Sequence, residues 1–267
     1  MKEILTRALS GALYILVLVC AVLFSEKAFL VLILAFGVIC LTELQRLLKL
    51  KSYLAYAILF AFLFFFSYLK AEFYATLVLL MVTILVKVLL IRDLITRNQI
   101  PLFEEKKYVL AIFYLISSFV FLTLIPGFSG KYLPKLLIGV FILVWANDTF
   151  AYLIGKNFGK HKLFERISPK KTIEGFLGGV IFSCLVSYLI FIFTHLLTPV
   201  LWLGLALIVS IFGTFGDLIQ SKLKRQADVK DSGSLMPGHG GLFDRLDSVL
   251  FASTFVYGFL LITQHVS

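Results

Sequence analysis

Charge is scarce in this chain of 267 residues. Only 15% are Asp, Glu, Lys or Arg, where a soluble domain carries about 25%, and 60% are hydrophobic, where about 45–50% is usual. That shortage excludes an ordinary water-solvated globule. Cysteine is scarce as well: Cys20, Cys40 and Cys184 all fall inside apolar runs, so they read as buried small hydrophobes rather than a disulfide framework. No His/Cys set has zinc spacing, no serine sits in a nucleophile elbow and no Rossmann glycine fingerprint occurs. A P-loop is missing too. The stretch "GKNFGKHK" has three residues between its glycines, where that loop needs four, and His161 follows the lysine in place of Ser or Thr.

Long apolar runs, by contrast, fill the chain, and the mean hydropathy is +1.00. Runs of about 16–22 residues bounded by charge read as transmembrane helices, which satisfy their own backbone groups inside a bilayer. Nine spans are predicted, at 9–24, 28–44, 53–69, 73–91, 109–125, 136–154, 175–197, 201–219 and 249–263. The fold class is therefore all-α, a polytopic integral membrane protein. The first span follows Lys2 and Arg7 without a small-x-small cleavage site, and reads as a retained anchor.

Short joins ("SEK", "KAE", "TPV") alternate with longer, basic ones. The N-terminus and segments 45–52, 92–108, 155–174 and 220–248 carry 20 of the 25 Lys and Arg, while the opposite set carries four. The positive-inside rule puts the basic set, with the N-terminus, in the cytoplasm and the C-terminus outside. Lys87, alone inside a span, is expected to snorkel toward the basic side. The net charge of +10 then reports topology and anionic headgroups, not nucleic-acid binding. Residues 1–135, with about five helices, read as scaffold. Residues 136–267, with about four helices and cytoplasmic loops 155–174 and 220–248, read as the catalytic part.

Polar residues gather in three places there. In "WANDTF", Asn147 and Asp148 lie within the sixth span, Asp148 about 9 Å below its predicted end. A carboxylate at that depth calls for a wet cavity, a cation or a partner, though a helix-packing polar pair is the blander reading. Beyond it, Lys170 and Lys171 in "SPKKT" precede the seventh span, with Ser168 and Thr172 near its N-terminus. That is either an anion site or plain positive-inside decoration. In "FGTFGD", Gly213 and Gly216 permit close helix approach, and Asp217 ends the predicted eighth span.

The third place is "SKLKRQADVKDSGSLMPGHGGLFDRLDS". Asp244 and Asp247 are three apart and share a helical face, so they can serve a hard divalent cation, or simply favour a helix dipole. Lys224, Arg225, Lys230 and Arg245 offer charge for phosphates, and His239 either bonds a phosphate or locks the loop. Acids beside cations at one membrane face point to metal-assisted phosphoryl or nucleotidyl transfer. An ion transporter would place its acids near the midplane in paired broken helices, which this pattern does not show.

The third stretch resembles the signature of the phosphatidate cytidylyltransferases, the CDP-diacylglycerol synthases of bacterial type. The matching positions are Ser221, Lys224–Arg225, Lys230–Asp231, Pro237, His239–Gly240–Gly241, Asp244–Arg245 and Asp247. Met236 departs from the usual Ile, Leu or Phe, an apolar exchange. "NDTFAYLIGKNFGKHKL" and "SPKKTIEG" resemble upstream segments of the same family. The resemblance is strongest over 145–248.

It implies transfer of CMP from CTP to phosphatidic acid at the cytoplasmic face of the inner membrane, with release of pyrophosphate. It implies Mg²⁺, with a second or monovalent cation as an option. Asp217 and Asp244 come first as metal ligands, and Asp148 and Asp247 follow. Ser221, Lys224, Arg225, Lys230, His239, Arg245, Lys170 and Lys171 are implied on the substrates. Membrane lipids surround the chain, and a homodimer is implied by the resemblance alone.

Overall fold

A computed structural model describes residues 2–96, 99–100, 106–236 and 240–266, and for 2–8, 265 and 266 the backbone only. The elements in order are α1 (Lys2–Phe24), α2 (Glu26–Leu47), α3 (Tyr53–Tyr68), α4 (Phe73–Thr96), α5 (Lys107–Gly127), α6 (Pro134–Phe158), β1 (Lys162–Phe164), β2 (Ser168–Thr172), α7 (Ile173–Thr194), α8 (Pro199–Gln226) and α9 (Phe243–Val266). Each predicted span coincides with one of these helices. Among the described residues seven are long and apolar enough to cross a membrane, namely α2, α4 to α8 and α9 over Phe243–Gln264. The apolar parts of α1 (Leu9–Phe24) and α3 are shorter.

Local chemistry sets the joins. Ser25 caps α2 by accepting from the Ala28 N–H, and Thr198 caps α8 by accepting from Leu201, with Pro199 in the first turn. The first of these joins is the single residue Ser25 and the second is the four residues 195–198. Two helices widen unexpectedly. Leu63–Tyr68 of α3 and Leu110–Ile116 of α5 are π-helical. Nothing in an apolar run signals the i→i+5 pattern.

Three of the boundaries that differ from the sequence expectation bear on the polar residues. α6 runs on to Phe158, α8 to Gln226, and α9 begins at Phe243, so the expected loop 220–248 contracts to 227–242. The residues that extend α8 ("SKLKRQ") are mostly good helix formers, and Lys224 and Arg225 in its last turn favour the helix dipole. Hydropathy alone stops where lysines begin; the helix does not. Asp148 consequently lies about 15 Å from the end of α6. Residues 162–172, expected as loop, form an antiparallel hairpin pairing Lys162 with Thr172 and Phe164 with Ser168. Thr172 then caps α7 through Gly175 N–H at 3.1 Å, whereas Ser168 starts β2, away from the helix start.

Contacts sort the connections into two ends. At one, Lys70 pairs with Glu26 at 3.3 Å and the Tyr132 hydroxyl donates to the Val22 carbonyl. At the other, the Tyr108 hydroxyl meets Ser52, and the Ile100 N–H donates to Gln226. The basic connections thus share an end.

Lys87 does not snorkel. It is fully buried and donates to the Leu250 and Phe251 carbonyls at 3.0 Å and to Thr254 Oγ1 at 2.7 Å, tying α4 to α9. Its ammonium also lies 4.9 Å from the Phe251 ring centre. Three acceptors within reach satisfy the three ammonium donors, which a climb to the interface would forfeit. Lys222 repeats the device, donating to the Asp93 carbonyl at 2.7 Å at the end of α4. Burying an ammonium costs several kcal/mol, which offsets the bonds it makes. Lys87→Met is therefore expected to shift unfolding free energy by no more than about 1 kcal/mol, read as thermal melting in detergent. Of the cysteines, Cys40 is buried, Cys184 partly so, and Cys20 exposed on the outer face of α1, contrary to the expectation of three buried thiols.

Candidate active site

Close packing of two helix pairs brings the polar residues together. On α6 and α7, Gly155 and Gly175 face each other, so that a Cβ on Gly175 would meet the Gly155 Cα at 3.0 Å. On α8, a Cβ at Gly216 would fall 2.7 Å from the Asp247 carbonyl of α9, so Gly216 presses the two acid-bearing helices into contact. The hairpin then folds over this end. Glu174 in the first turn of α7 accepts from Lys160 N–H at 3.0 Å and contacts His161 Nδ1 at 2.6 Å. The "GKHK" stretch is pinned there, in place of the flexible phosphate loop its composition resembles.

Asp217, Ser221 and Lys224 share one face of α8 at i, i+4 and i+7. Ser221 Oγ donates to Asp217 Oδ1 at 3.2 Å, and Lys171 of β2 pairs with Asp217 Oδ2 at 2.5 Å. Lys224 Nζ donates to Asp244 Oδ1 at 2.7 Å. Asp148, Asp217 and Asp247, from three different helices, lie within reach of one another's charge. Lys171 acts on the first two, Lys224 on the last two, and Arg245 on Asp148. The access is graded: Asp148 is exposed, the Asp217 side chain is 34% exposed and Asp247 is 8% exposed. The cluster is thus a cleft with an open side and a buried floor.

The neighbouring Asn147 is buried against α7, where a Cβ on Gly179 would approach its Oδ1 to 2.7 Å, and that oxygen has no hydrogen-bond partner among the described residues, while Asp148 is exposed. Asp244 differs from the other acids. Its side chain is 7% exposed, and Oδ2 accepts from Ser232 N–H at 2.9 Å and from Ser232 Oγ and Gly241 N–H at 3.0 Å. Gly240 sits beneath it at φ +89°, where an added Cβ would also meet Asp244 Oδ2 at 3.0 Å, so glycine is required twice over. Lys170, Arg225, Lys230 and Arg245 are exposed. His239 and Pro237 lie outside the described residues.

Among the described residues, no three His, Cys, Asp or Glu side chains form a ready metal cage. Two ammonium groups instead occupy carboxylate oxygens of Asp217 and Asp244. The donor set is nonetheless hard oxygen at a place where positive charge is already held, and it fits a divalent cation of the magnesium class.

Sequence reasoning missed Tyr114. It stands in the π-helical turn of α5, with its ring against Phe243 and Phe251 of α9 at centroid distances of 6.0 and 6.1 Å. Its hydroxyl is buried without a hydrogen-bond partner among the described residues, and the charges of Asp247, Asp217 and Asp244 reach it. A tyrosine within an apolar run carries no sequence signal of that placement.

Comparison with known proteins identifies the family. The model of the cytidylyltransferase family matches residues 5–263. The chain is 35% identical over 277 residues to the phosphatidate cytidylyltransferase of Bacillus subtilis (strain 168), with 98% of each chain covered. It is 52% identical over 112 residues to the enzyme of that name from Staphylococcus aureus (strain COL), covering 42% of this chain and 43% of the relative. The Staphylococcus saprophyticus enzyme of the same name is 39% identical over 166 residues, covering 61% and 62%. With nearly its whole length matched, the chain belongs to the cytidylyltransferase family, a family of nucleotidyltransferases.

Proposed function

We propose that this chain transfers CMP from CTP to phosphatidic acid, giving CDP-diacylglycerol and pyrophosphate. In this reading the bundle has nine spans with the N-terminus and the acidic cleft on the cytoplasmic side of a bacterial cell membrane, and residues 136–267 carry most of the chemistry. A homodimeric assembly accompanies it through the family resemblance. One observation carries the proposal: acids from α6, α8 and α9 and lysines from β2 and α8 share one partly open cleft at the basic end of the bundle. CTP arrives from water and phosphatidic acid from the leaflet, so a cleft at that level serves both.

The reaction joins two polyanions. An oxygen of the lipid phosphate attacks the α-phosphorus of CTP, the bond to the β-phosphate oxygen breaks, and its electron pair leaves with pyrophosphate. The attacking oxygen is already anionic, so the chain has no proton to remove, and its task is positioning and neutralisation. Asp148, Asp217 and Asp247 would hold a divalent cation. Asp244 would join them through Oδ1, because Oδ2 is saturated by the loop. Such an ion supplies charge neutralisation on the phosphates. Lys171 and Lys224, released from their carboxylates, are placed to take substrate phosphates in exchange, and Ser221 orients Asp217.

Purified protein given phosphatidic acid, Mg²⁺ and CTP labelled on the α-phosphate is expected to yield labelled lipid, and γ-labelled CTP labelled pyrophosphate. Label from the γ-phosphate entering lipid would instead make the chain a lipid kinase. Arg225, exposed in the last turn of α8, is assigned to draw in CTP. Arg225→Ala is expected to raise the KM for CTP by about tenfold, the equivalent of about 1.4 kcal/mol, with kcat little changed. Unchanged KM for both substrates removes Arg225 from the site.

A further inference from the structure

Residue Glu43 belongs to α2, within the part of the chain read from sequence as scaffold. It is 4% exposed, yet no hydrophobic packing explains it. Its carboxylate reaches across to the loop before α9. Oε1 accepts from the Leu242 N–H at 3.1 Å, and Oε2 accepts from the Phe243 N–H at 2.9 Å and from Ser232 Oγ at 3.0 Å. Leu242 immediately precedes α9 and Phe243 is its first residue, and the helix itself supplies acceptors for neither amide. Glu43 therefore caps α9 from another helix, adding a negative charge where the helix dipole favours one.

Two glycines fit the same purpose. A Cβ on Gly233 would fall 2.5 Å from Glu43 Oε1, and a Cβ on Gly241 would collide with Glu43 Oε2 and Ser232 Oγ. The second glycine of "HGG" is thus required by a carboxylate about 200 residues away in sequence. Ser232 joins the two acids: its Oγ lies 3.0 Å from both Glu43 Oε2 and Asp244 Oδ2, and its single hydroxyl proton is shared between them. Loop and helix start are gripped on one side by Glu43 and on the other by Asp244.

We propose that Glu43 is a positioning residue of the active site, fixing the loop before α9 and the first turn of that helix so that Asp244 meets Lys224 and Asp247 faces Asp217. It touches neither nucleotide nor lipid. Its effect reaches the chemistry through the placement of those two acids. The kinetic part of this inference rests on the cytidylyltransferase reading above; the clamp itself does not.

The test compares wild type, Glu43→Gln, Gly241→Ala and the double variant in the full chain, by lipid labelling and by amide hydrogen exchange. In Glu43→Gln the amide nitrogen replaces one acceptor, so one N–H or hydroxyl of the loop loses its partner. The expected result is a kcat lower by about 30-fold or more with KM for CTP within about threefold, since placement and not binding is lost. Exchange is expected to quicken in the loop and first turn of α9 while α6 and α7 keep their protection. Gly241→Ala reaches the same clamp from the other side, so the double variant should fall little below the worse single one, the non-additivity of residues acting as a unit.

Multiplicative losses in the double variant would overturn the proposal, as would unchanged exchange around Leu242 and Phe243. So would exchange that quickens uniformly through the bundle, which marks general unfolding. Should wild type fail to label lipid, the functional reading falls while the exchange experiment still decides the clamp.

Discussion

Asp217→Asn is expected to reduce CMP transfer to lipid by on the order of a thousandfold while the protein melts almost as wild type. The two halves of that expectation come from different features of the residue. Asp217 stands about 14 Å from the end of α8, level with Asp148 on α6, and its charge reaches both Asp148 and Asp247. It is the shared neighbour of the cluster, so removing its charge takes one ligand from any cation there and the resting partner from Lys171. Loss of a single preorganised electrostatic group in a catalytic site costs about 3–4 kcal/mol of transition-state stabilisation, or a factor of about 10²–10³.

Stability responds far less. Asparagine keeps an oxygen for the Ser221 hydroxyl, and the pair with Lys171 is a third exposed, so solvent screening limits its worth to less than about 1 kcal/mol. Rate of lipid labelling and thermal melting on the same preparation check both parts. Activity within about tenfold of wild type would take Asp217 out of the cation site.

The sequence displayed the helices because hydropathy and length are nearly sufficient to place them in a membrane protein. Where it failed, a specific force overrode hydropathy. Lys224 and Arg225 end an apolar run but lengthen a helix, because a cation in a last turn is favourable there. Lys87 carries a charge that should seek water but finds two carbonyls and a hydroxyl on α9, a partner set that no one-dimensional reading can supply.

The acids of the cleft were legible for a similar reason. A carboxylate in a span has few innocent explanations, so Asp148 and Asp217 stand out from their surroundings, while Asp244 and Asp247 stand out by their spacing in the stretch before the ninth predicted span. Glu43 did not stand out. It lies near the predicted end of a span beside Gln45 and Arg46, where an acid is commonplace, and its meaning resides in contacts to residues 232, 242 and 243. Tyr114 was hidden by a π-helical turn. The division at residue 135 rested on where polar residues concentrate, but α2 and α5 both deliver a polar group to the loop and helix of the acidic cleft.

Asp244→Asn separates two roles that its motif runs together. By the resemblance read from sequence, Asp244 is a metal ligand and nothing more. Its surroundings predict otherwise. Oδ1 faces the Lys224 ammonium, and Oδ2 faces three donors from Ser232 and Gly241. Whichever way an asparagine amide turns, its NH₂ group meets donors and leaves at least one buried group unsatisfied, at about 1–3 kcal/mol each. Asp244→Asn is therefore expected both to lose activity, by on the order of a thousandfold, and to melt at a clearly lower temperature, unlike Asp217→Asn.

Lys224→Met serves as the control. It removes the ammonium and leaves Oδ2 and the loop untouched, so loop exchange should stay near wild type while activity falls. If Asp244→Asn melts as wild type and its loop keeps its protection, the grip on Ser232 and Gly241 contributes nothing, and Asp244 acts through the cation alone. If instead it unfolds the loop while retaining activity per folded molecule, Asp244 belongs to the architecture of the cleft and the cation rests on Asp148, Asp217 and Asp247.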